Sequence, residues 1–88
     1  MDMNEYEKVL KALANRRRLS ILKYLKEKKE ATVGELAAKI KLSFKSTSKH
    51  MAVLSAADIV EKDQKNLSMF YYISSKQSPV SKNILELL

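Results

Sequence analysis

The sequence has 88 residues, of which 45% are hydrophobic and 31% charged, and this composition indicates one folded domain spanning residues 1–88. The absence of cysteine and the single histidine exclude a disulfide framework, a thiolate zinc site and a cysteine nucleophile. No apolar run reaches the roughly 18 residues that a membrane span needs, and the acidic N-terminus is unlike a targeting peptide. We therefore expect a cytoplasmic protein.

The net charge of +7 comes from 17 basic and 10 acidic residues, and it is concentrated in the middle of the chain. Residues 31–57 contain four lysines and a single acidic residue, Glu35, whereas the last third of the chain is neutral. Such an excess favours a polyanionic partner, which is either nucleic acid or an anionic membrane surface. The alternative is a lysine-rich surface that only keeps the protein in solution.

Hydrophobic periodicity predicts three helices in the first half of the chain. The first covers residues 4–14 and the second covers residues 16–28, with Asn15 as the cap of the second. Thr32 and Glu35 have the spacing of a capping box, which begins a short third helix.

The second half of the chain begins with a fourth helix over residues 44–57, which Ser43 caps. Its inward positions are Thr47, Met51 and Leu54. The period then becomes that of β structure, so residues 59–63 and 67–73 are predicted strands. Pro79 suits the first position of a last helix.

This order of elements, α-α-α-α-β-β-α, is mainly α with a small β-hairpin wing. A short turn at residues 40–43 joins a short helix to a longer one, as in folds that read DNA. The sequence therefore predicts a winged helix-turn-helix fold.

Four segments of the chain follow one another in the order of a known motif set. Residues 13–22 read LANRRRLSIL, residues 35–37 read ELA, residues 42–51 read LSFKSTSKHM and residues 53–60 read VLSAADIV. They resemble, in that order, the LADPTRLRIL, ELA, LSQSTVSRHL and VL…AGLV segments of the ArsR family of bacterial and archaeal repressors. The resemblance implies a dimeric transcriptional repressor that binds double-stranded DNA at an inverted-repeat operator.

The departures from the family concern its metal sites. Where many members carry two thiolates around the third helix, residues 31–36 read ATVGEL. Where others have Asp and His ligands on the last helix, this chain offers only Glu86. We therefore expect no metal site, no cofactor and no response to metal. The family's glycine after the fourth helix is Asp58 here, which still permits a left-handed cap.

The fourth helix is the predicted reader of the major groove, because its face opposite Thr47, Met51 and Leu54 is polar and cationic. The DNA-binding residues predicted on this helix and its cap are Ser43, Phe44, Lys45, Ser46, Ser48, Lys49 and His50. For His50 a phosphate contact and a half-buried packing role both remain open.

Contacts to the flanking DNA backbone are predicted from Lys62 and Lys65 of the wing, although Asp63 beside them weakens that interpretation. Arg17 is a further candidate for a phosphate contact, and Arg16 is another. The resemblance implies that Arg18 instead ties the helices together.

Dimerisation is predicted through the first and last helices, whose apolar stripes a core of this size cannot shelter. The predicted interface residues are Tyr6, Leu10, Leu13, Val80, Ile84, Leu87 and Leu88. An enzyme is disfavoured, because no nucleophile and base are paired by spacing. A winged helix that binds only other proteins is the alternative function, although its fourth helix would then be expected to be apolar or acidic.

Overall fold

The computed structural model describes residues 1–88 and contains five helices and one β-hairpin. In chain order the elements are α1 (Met3–Leu13), α2 (Arg16–Lys28), α3 (Val33–Ile40), α4 (Phe44–Ala56), β1 (Val60–Lys65), β2 (Ser68–Ile73) and α5 (Pro79–Leu87). This order confirms the predicted winged helix-turn-helix fold. None of the helices is both long and apolar enough to cross a membrane.

The predicted helix caps are confirmed. The carboxamide oxygen of Asn15 accepts hydrogen bonds from the backbone amides of Arg17 and Arg18, at 3.0 and 3.1 Å. The capping box of α3 is complete, since Thr32 Oγ1 accepts from the Glu35 amide at 3.2 Å and Glu35 Oε1 accepts from the Thr32 amide at 2.9 Å. These bonds satisfy amides at the helix starts that have no partner within the helix.

Several elements end at residues with positive φ, although none of these residues is glycine. Lys29 (φ 78°), Lys41 (φ 56°), Asp58 (φ 58°) and Asn66 (φ 57°) follow α2, α3, α4 and β1 respectively. Asp58 thus adopts the left-handed conformation that this residue type permits. At these four positions a side chain occupies a backbone region that favours glycine.

The core is formed where α2, α3, α4 and the start of β1 meet. Its fully buried apolar side chains are Ile21, Leu22, Leu25, Leu36, Met51, Leu54 and Ile59. Thr47 is buried with them, and its hydroxyl donates to the carbonyl oxygen of Ser43 at 2.8 Å. The inward face predicted for α4 is thus confirmed, and it fixes which face of α4 remains outside.

The wing is an antiparallel hairpin in which Val60 pairs with Ile73 and Lys65 pairs with Ser68. This register leaves a two-residue turn, Asn66 and Leu67, so the first strand runs to residue 65 rather than ending at 63 as predicted. A left-handed Asn66 closes the hairpin without a glycine.

An unpredicted bridge attaches the other edge of β2 to the segment between α2 and α3. The amide of Ala31 donates to the Tyr71 carbonyl at 3.0 Å, and the amide of Tyr71 donates to the Ala31 carbonyl at 2.8 Å. Ala31 is buried, and Tyr71 packs against the core. The base of the wing is therefore fastened to the helical body.

The last helix is held to α2 at its C-terminal end. Lys26 Nζ donates to the carbonyl oxygen of Leu85 at 2.7 Å, where the carbonyl groups of α5 lack partners within the helix. A cation at this end also interacts favourably with the helix dipole. Lys26 therefore caps α5 from a neighbouring helix.

Candidate nucleic-acid interface

The position of α4 is set by the turn that precedes it. Lys41 ends α3 in a left-handed conformation, and Ser43 begins α4 by accepting a hydrogen bond from the Ser46 amide through its hydroxyl oxygen at 3.1 Å. Since Thr47, Met51 and Leu54 are buried, the opposite face of α4 is the one that a partner can reach. This arrangement presents α4 on the surface of the domain.

The outward face of α4 is cationic and polar, as the sequence predicts. Lys45 and Lys49 are exposed, whereas Ser46 and Ser48 are half-buried. Phe44 stands at the leading end with 63% of its surface exposed, which is unusual for a large aromatic residue of a monomeric surface. The helix therefore presents two ammonium groups, hydroxyls and one apolar ring.

The positive charge of this face has no counter-charge within the chain. The protein contains two ion pairs, Glu7 with Lys11 at 3.9 Å and Glu30 with Lys65 at 2.7 Å, and neither involves α4. The helix itself contains no acidic residue. Lys45 and Lys49 are consequently available to an external anion.

Arg18 joins three helices, as the resemblance implies. Its Nε donates to the Ala12 carbonyl at 2.6 Å and its Nη2 donates to the Lys11 carbonyl at 3.0 Å, so it caps the C-terminal end of α1. Its Nη1 lies 3.2 Å from Nδ1 of His50 on α4. Because a guanidinium group can only donate, Nδ1 of His50 is the acceptor and its proton lies on Nε2.

His50 is half-buried, and its surroundings favour the neutral imidazole. Burial lowers the pKa of His50 below its ordinary value, and the positive charges of Arg18 and then Arg17 lower this pKa further. The packing role considered for His50 is therefore realised through Arg18. Its Nε2–H remains the only group of the ring that could donate to a phosphate.

The two lysines predicted to contact DNA from the wing differ in whether they have a partner within the protein. Lys62 is exposed and unpaired, but Lys65 donates to Glu30 Oε1 at 2.7 Å and lies 5.7 Å from the centre of the Phe70 ring. The hydrogen bond and the charge of Glu30 raise the pKa of Lys65. The predicted phosphate contact of Lys65 stays a prediction, and Glu30, 35 residues earlier, competes with a phosphate for this ammonium group. No sequence signal pointed to this pair.

The predicted dimer residues are divided between the surface and the core. Leu10 is 51% exposed and Leu87 is 81% exposed, while Tyr6 is half-buried. Leu13 is only 5% exposed and belongs to the core cluster, so its assignment to an interface is corrected. The half-buried residues that pack against the core are Val80, Ile84 and Leu88.

The exposed part of α1 lines a shallow, open cavity of about 550 Å³. Its apolar lining residues are Met3, Tyr6, Leu10 and Ala14. On α5 the inward face is centred on Ser81 and Leu85, one residue away from the predicted stripe, which explains why Leu87 points outward.

The sequence profile of a family described as a helix-turn-helix domain matches residues 13–63 of this chain. The transcriptional activator HlyU of Vibrio cholerae serotype O1 is 37% identical over 95 positions, which cover 100% of this chain and 84% of HlyU. A solved structure of V. cholerae HlyU matches with a TM-score of 0.81 at 36% identity, covering 99% of this chain and 92% of that chain.

Two further solved structures share this arrangement of helices and wing. NolR from Sinorhizobium fredii matches with a TM-score of 0.80 at 34% identity, covering 96% of this chain and 80% of that chain. The homodimeric winged helix-turn-helix DNA-binding domain of Mb0332 from Mycobacterium bovis matches with a TM-score of 0.79 at 26% identity, covering 97% and 72%. These similarities extend over α1 and α5 as well as the helix-turn-helix.

Proposed function

Because the chain belongs to the ArsR family of winged helix-turn-helix transcriptional regulators, we propose that it recognises a specific sequence of double-stranded DNA by placing α4 in the major groove. It is a DNA-binding regulator and not an enzyme. The observation that carries the proposal is the pair of exposed, unpaired lysines, Lys45 and Lys49, on the face of α4 opposite its buried residues.

Specificity comes from the first half of α4 in this proposal. The ammonium groups of Lys45 and Lys49 can donate to the O6 and N7 acceptors of guanine, and the Ser48 hydroxyl can contact a base or a phosphate. The exposed ring of Phe44 suits an apolar contact with a thymine methyl group. These contacts distinguish base pairs, because the major groove presents a different pattern for each pair.

The remaining contacts position the helix on the DNA backbone. The Ser43 hydroxyl oxygen accepts from the Ser46 amide, which leaves the hydroxyl proton free to donate to a phosphate. Arg17 of α2 and Lys62 of the wing are exposed and can contact flanking phosphates. His50 contributes through Nε2–H.

We further propose that the protein acts as a homodimer that pairs through α1 and α5. The support is the apolar, exposed surface around Leu10 and Leu87, together with the homodimeric state named for Mb0332. Two-fold symmetry then requires an inverted-repeat operator whose half-sites are about 34 Å apart, one turn of the duplex.

Regulation is proposed to be repression by occupancy of the operator and to be independent of metal. The chain has no cysteine, and Nδ1 of its only histidine faces the Arg18 guanidinium, an environment that repels a metal cation. In vitro transcription with and without the protein, each in the presence and absence of about 10 μM zinc, a large excess over structural zinc-site affinities, tests both statements. A rise in transcript on addition of the protein would instead agree with the activator role named for HlyU. Release of the protein from DNA on addition of zinc would refute metal independence.

The binding proposal is tested with duplexes selected from a random library and labelled for fluorescence anisotropy. The double variant Lys45→Ala/Lys49→Ala should lose about 1–3 kcal/mol for each lysine in each half-site. The control Lys28→Ala/Lys76→Ala removes the same charge from two exposed lysines outside α4. If the two double variants bind the selected duplex with equal affinity, α4 is not the helix that recognises DNA. No binding of any duplex by the wild type would favour a protein-binding module.

A further inference from the structure

A second cationic surface lies in a cleft of about 350 Å³ between α2 and α3. Arg16, Arg17 and Ser20 of α2 line one side, and Lys39 and Ile40 at the end of α3 line the other. Three of these five side chains carry a positive charge and none is acidic. The cleft is therefore a concave, positively charged surface that also contains a hydroxyl group.

The charges of this cleft are not neutralised by the protein. Neither of the two ion pairs involves Arg16, Arg17 or Lys39. The ammonium group of Lys39 lies 5.8 Å from the centre of the Tyr24 ring, a contact that holds the side chain alongside α2. Cations kept in one concave surface raise the local concentration of anions, and a bound anion relieves their mutual repulsion.

The groups available for binding are side chains rather than backbone amides. The Asn15 carboxamide already accepts from the amides of Arg17 and Arg18 at the start of α2. Guanidinium groups bind phosphate oxygens with two parallel hydrogen bonds, a lysine ammonium group adds a compact charge with three N–H donors, and serine adds one O–H donor. This donor set fits a phosphate group.

The cleft is adjacent to the reading helix at two points. Lys39 and Ile40 immediately precede the turn at residues 41–43 that leads into α4. On the other side, the charge of Arg17 acts on His50 of α4 and contributes to lowering the pKa of that histidine. In helix-turn-helix proteins the helix that precedes the reading helix crosses the DNA backbone. The cleft thus lies on the side of the domain that would face the duplex.

We propose that the cleft between α2 and α3 binds a DNA backbone phosphate next to the bases contacted by α4, with Arg16 and Lys39 as its charged ligands and the Ser20 hydroxyl as a further donor. This inference rests on the proposed function and adds Arg16, Ser20 and Lys39 to the contacts proposed there for α4, the wing and Arg17. Such a contact carries no sequence information, but it fixes the position of the protein on the duplex.

The test compares Lys39→Ala and Arg16→Ala with Lys28→Ala, which removes an exposed charge at the far end of α2. Affinity is measured for the selected duplex and for a random duplex over a range of salt concentrations. Each phosphate contact makes the slope of log affinity against log salt concentration steeper by about 0.9. Loss of one contact should therefore weaken binding about eightfold at about 0.1 M salt. This factor applies once for each cleft of the protein that contacts the duplex.

The loss should be the same factor for both duplexes, while Lys28→Ala keeps the wild-type slope. Cleft variants that match Lys28→Ala in affinity and slope would overturn the inference but leave the proposed function intact. If the wild type binds neither duplex, the proposed function and this inference both fail, and the same titration shows this directly. Circular dichroism checks that the variants are folded, which their exposed positions favour.

Amide resonances separate a DNA phosphate from a free phosphate compound. In ¹H–¹⁵N spectra of the wild type, the Ser20 and Lys39 peaks should shift when random duplex is added, and the Ser20 shift should be lost in Lys39→Ala. Saturable shifts with inorganic phosphate at constant ionic strength, without a response to the duplex, would overturn the assignment to DNA and point to a free phosphorylated ligand.

Discussion

Arg18 places its Nη1 3.2 Å from Nδ1 of His50 while its other nitrogens donate to the carbonyl groups of Lys11 and Ala12. One guanidinium group thereby connects the end of α1 to the second turn of α4. In the proposed dimer α1 contributes to the interface and α4 contacts DNA. The contact between Arg18 and His50 therefore connects the helix proposed for the dimer interface to the helix proposed to read DNA.

The first prediction concerns the pH dependence of stability. Because the pKa of His50 is lowered in the folded chain, the unfolded chain takes up a proton first as the pH falls. The contribution of His50 to the free energy of unfolding is therefore fully present above the ordinary histidine pKa of 6.5. It decreases as the pH falls from 6.5 towards the lower pKa of the folded chain. The free energy of unfolding, measured with urea between about pH 5 and pH 8, a range that spans the histidine titration, should show this decrease.

The control for this prediction is His50→Gln, whose side-chain oxygen can still accept from Arg18 but does not titrate. The carboxylates contribute equally to both proteins, so the difference between the two curves isolates His50. The wild type should become less stable relative to His50→Gln only on the acidic side. Parallel curves over the whole range would contradict the role assigned to the pair.

The second prediction concerns the end of α2, where Lys29 has φ 78° and ψ −43°. A side chain is strained in this region, whereas glycine is not. Lys29→Gly should stabilise the protein by about 0.5–1 kcal/mol, after allowance for the greater freedom of glycine in the unfolded chain. The melting temperature should rise by about 2–8 °C in a domain of this size.

Lys29→Ala serves as the matched variant, since it removes the same charge but keeps a Cβ atom. It should not be more stable than the wild type. If alanine stabilises as much as glycine, the gain comes from the lost positive charge and not from the backbone.

The third prediction concerns dimerisation. Leu10→Glu or Leu87→Glu should convert the dimer to a monomer, because each buries a carboxylate in the proposed apolar interface without a partner. The monomer should remain folded, since both leucines are exposed in it. Sedimentation at micromolar concentration should give about twice 10.1 kDa for the wild type and 10.1 kDa for the variants.

Leu67→Glu provides the control, because Leu67 at the turn of the wing is 100% exposed and lies outside α1 and α5. It should sediment as the wild type does. If the wild type is monomeric at all concentrations, the proposed dimer does not exist. If the Leu10→Glu variant stays dimeric, the interface lies elsewhere.

The fourth prediction concerns the cap that Lys26 provides for α5. Lys26→Met keeps most of the side-chain stem but removes the donor to the Leu85 carbonyl, and it should cost about 0.3–1 kcal/mol of stability. Lys23→Met, at an exposed position of the same helix, should leave the free energy of unfolding unchanged. Equal losses in urea denaturation of the two variants would show that the hydrogen bond contributes nothing measurable.

The sequence was sufficient to predict the order of the elements and the orientation of α4. Helix periodicity identified Thr47, Met51 and Leu54 as inward residues, and polar caps such as Ser43 located the helix starts. Both signals are local, since they depend on residues within one or two turns of each other. The outward position of Lys45 and Lys49 follows from the same periodicity.

The features that the sequence did not reveal depend on contacts between distant segments. Glu30 neutralises Lys65 across 35 residues, and Arg18 reaches His50 across 32 residues. The burial of Leu13 and the exposure of Leu87 depend on how α1 and α5 rotate against the core, and a shift of one residue on a helix moves the apolar face by about 100°. Periodicity identifies a stripe but does not set this rotation.

The bridge between Ala31 and Tyr71 divides the wing into two parts of unequal rigidity. Near the body, β2 has backbone partners on both edges, whereas beyond Tyr71 only β1 supports it, and an isolated two-stranded ribbon is marginally stable. Amide protons at Ala31 and Tyr71 should thus exchange with solvent far more slowly than those around Leu67. The end of the hairpin can bend to follow the shape of a duplex while its base, and with it α4, stays in place.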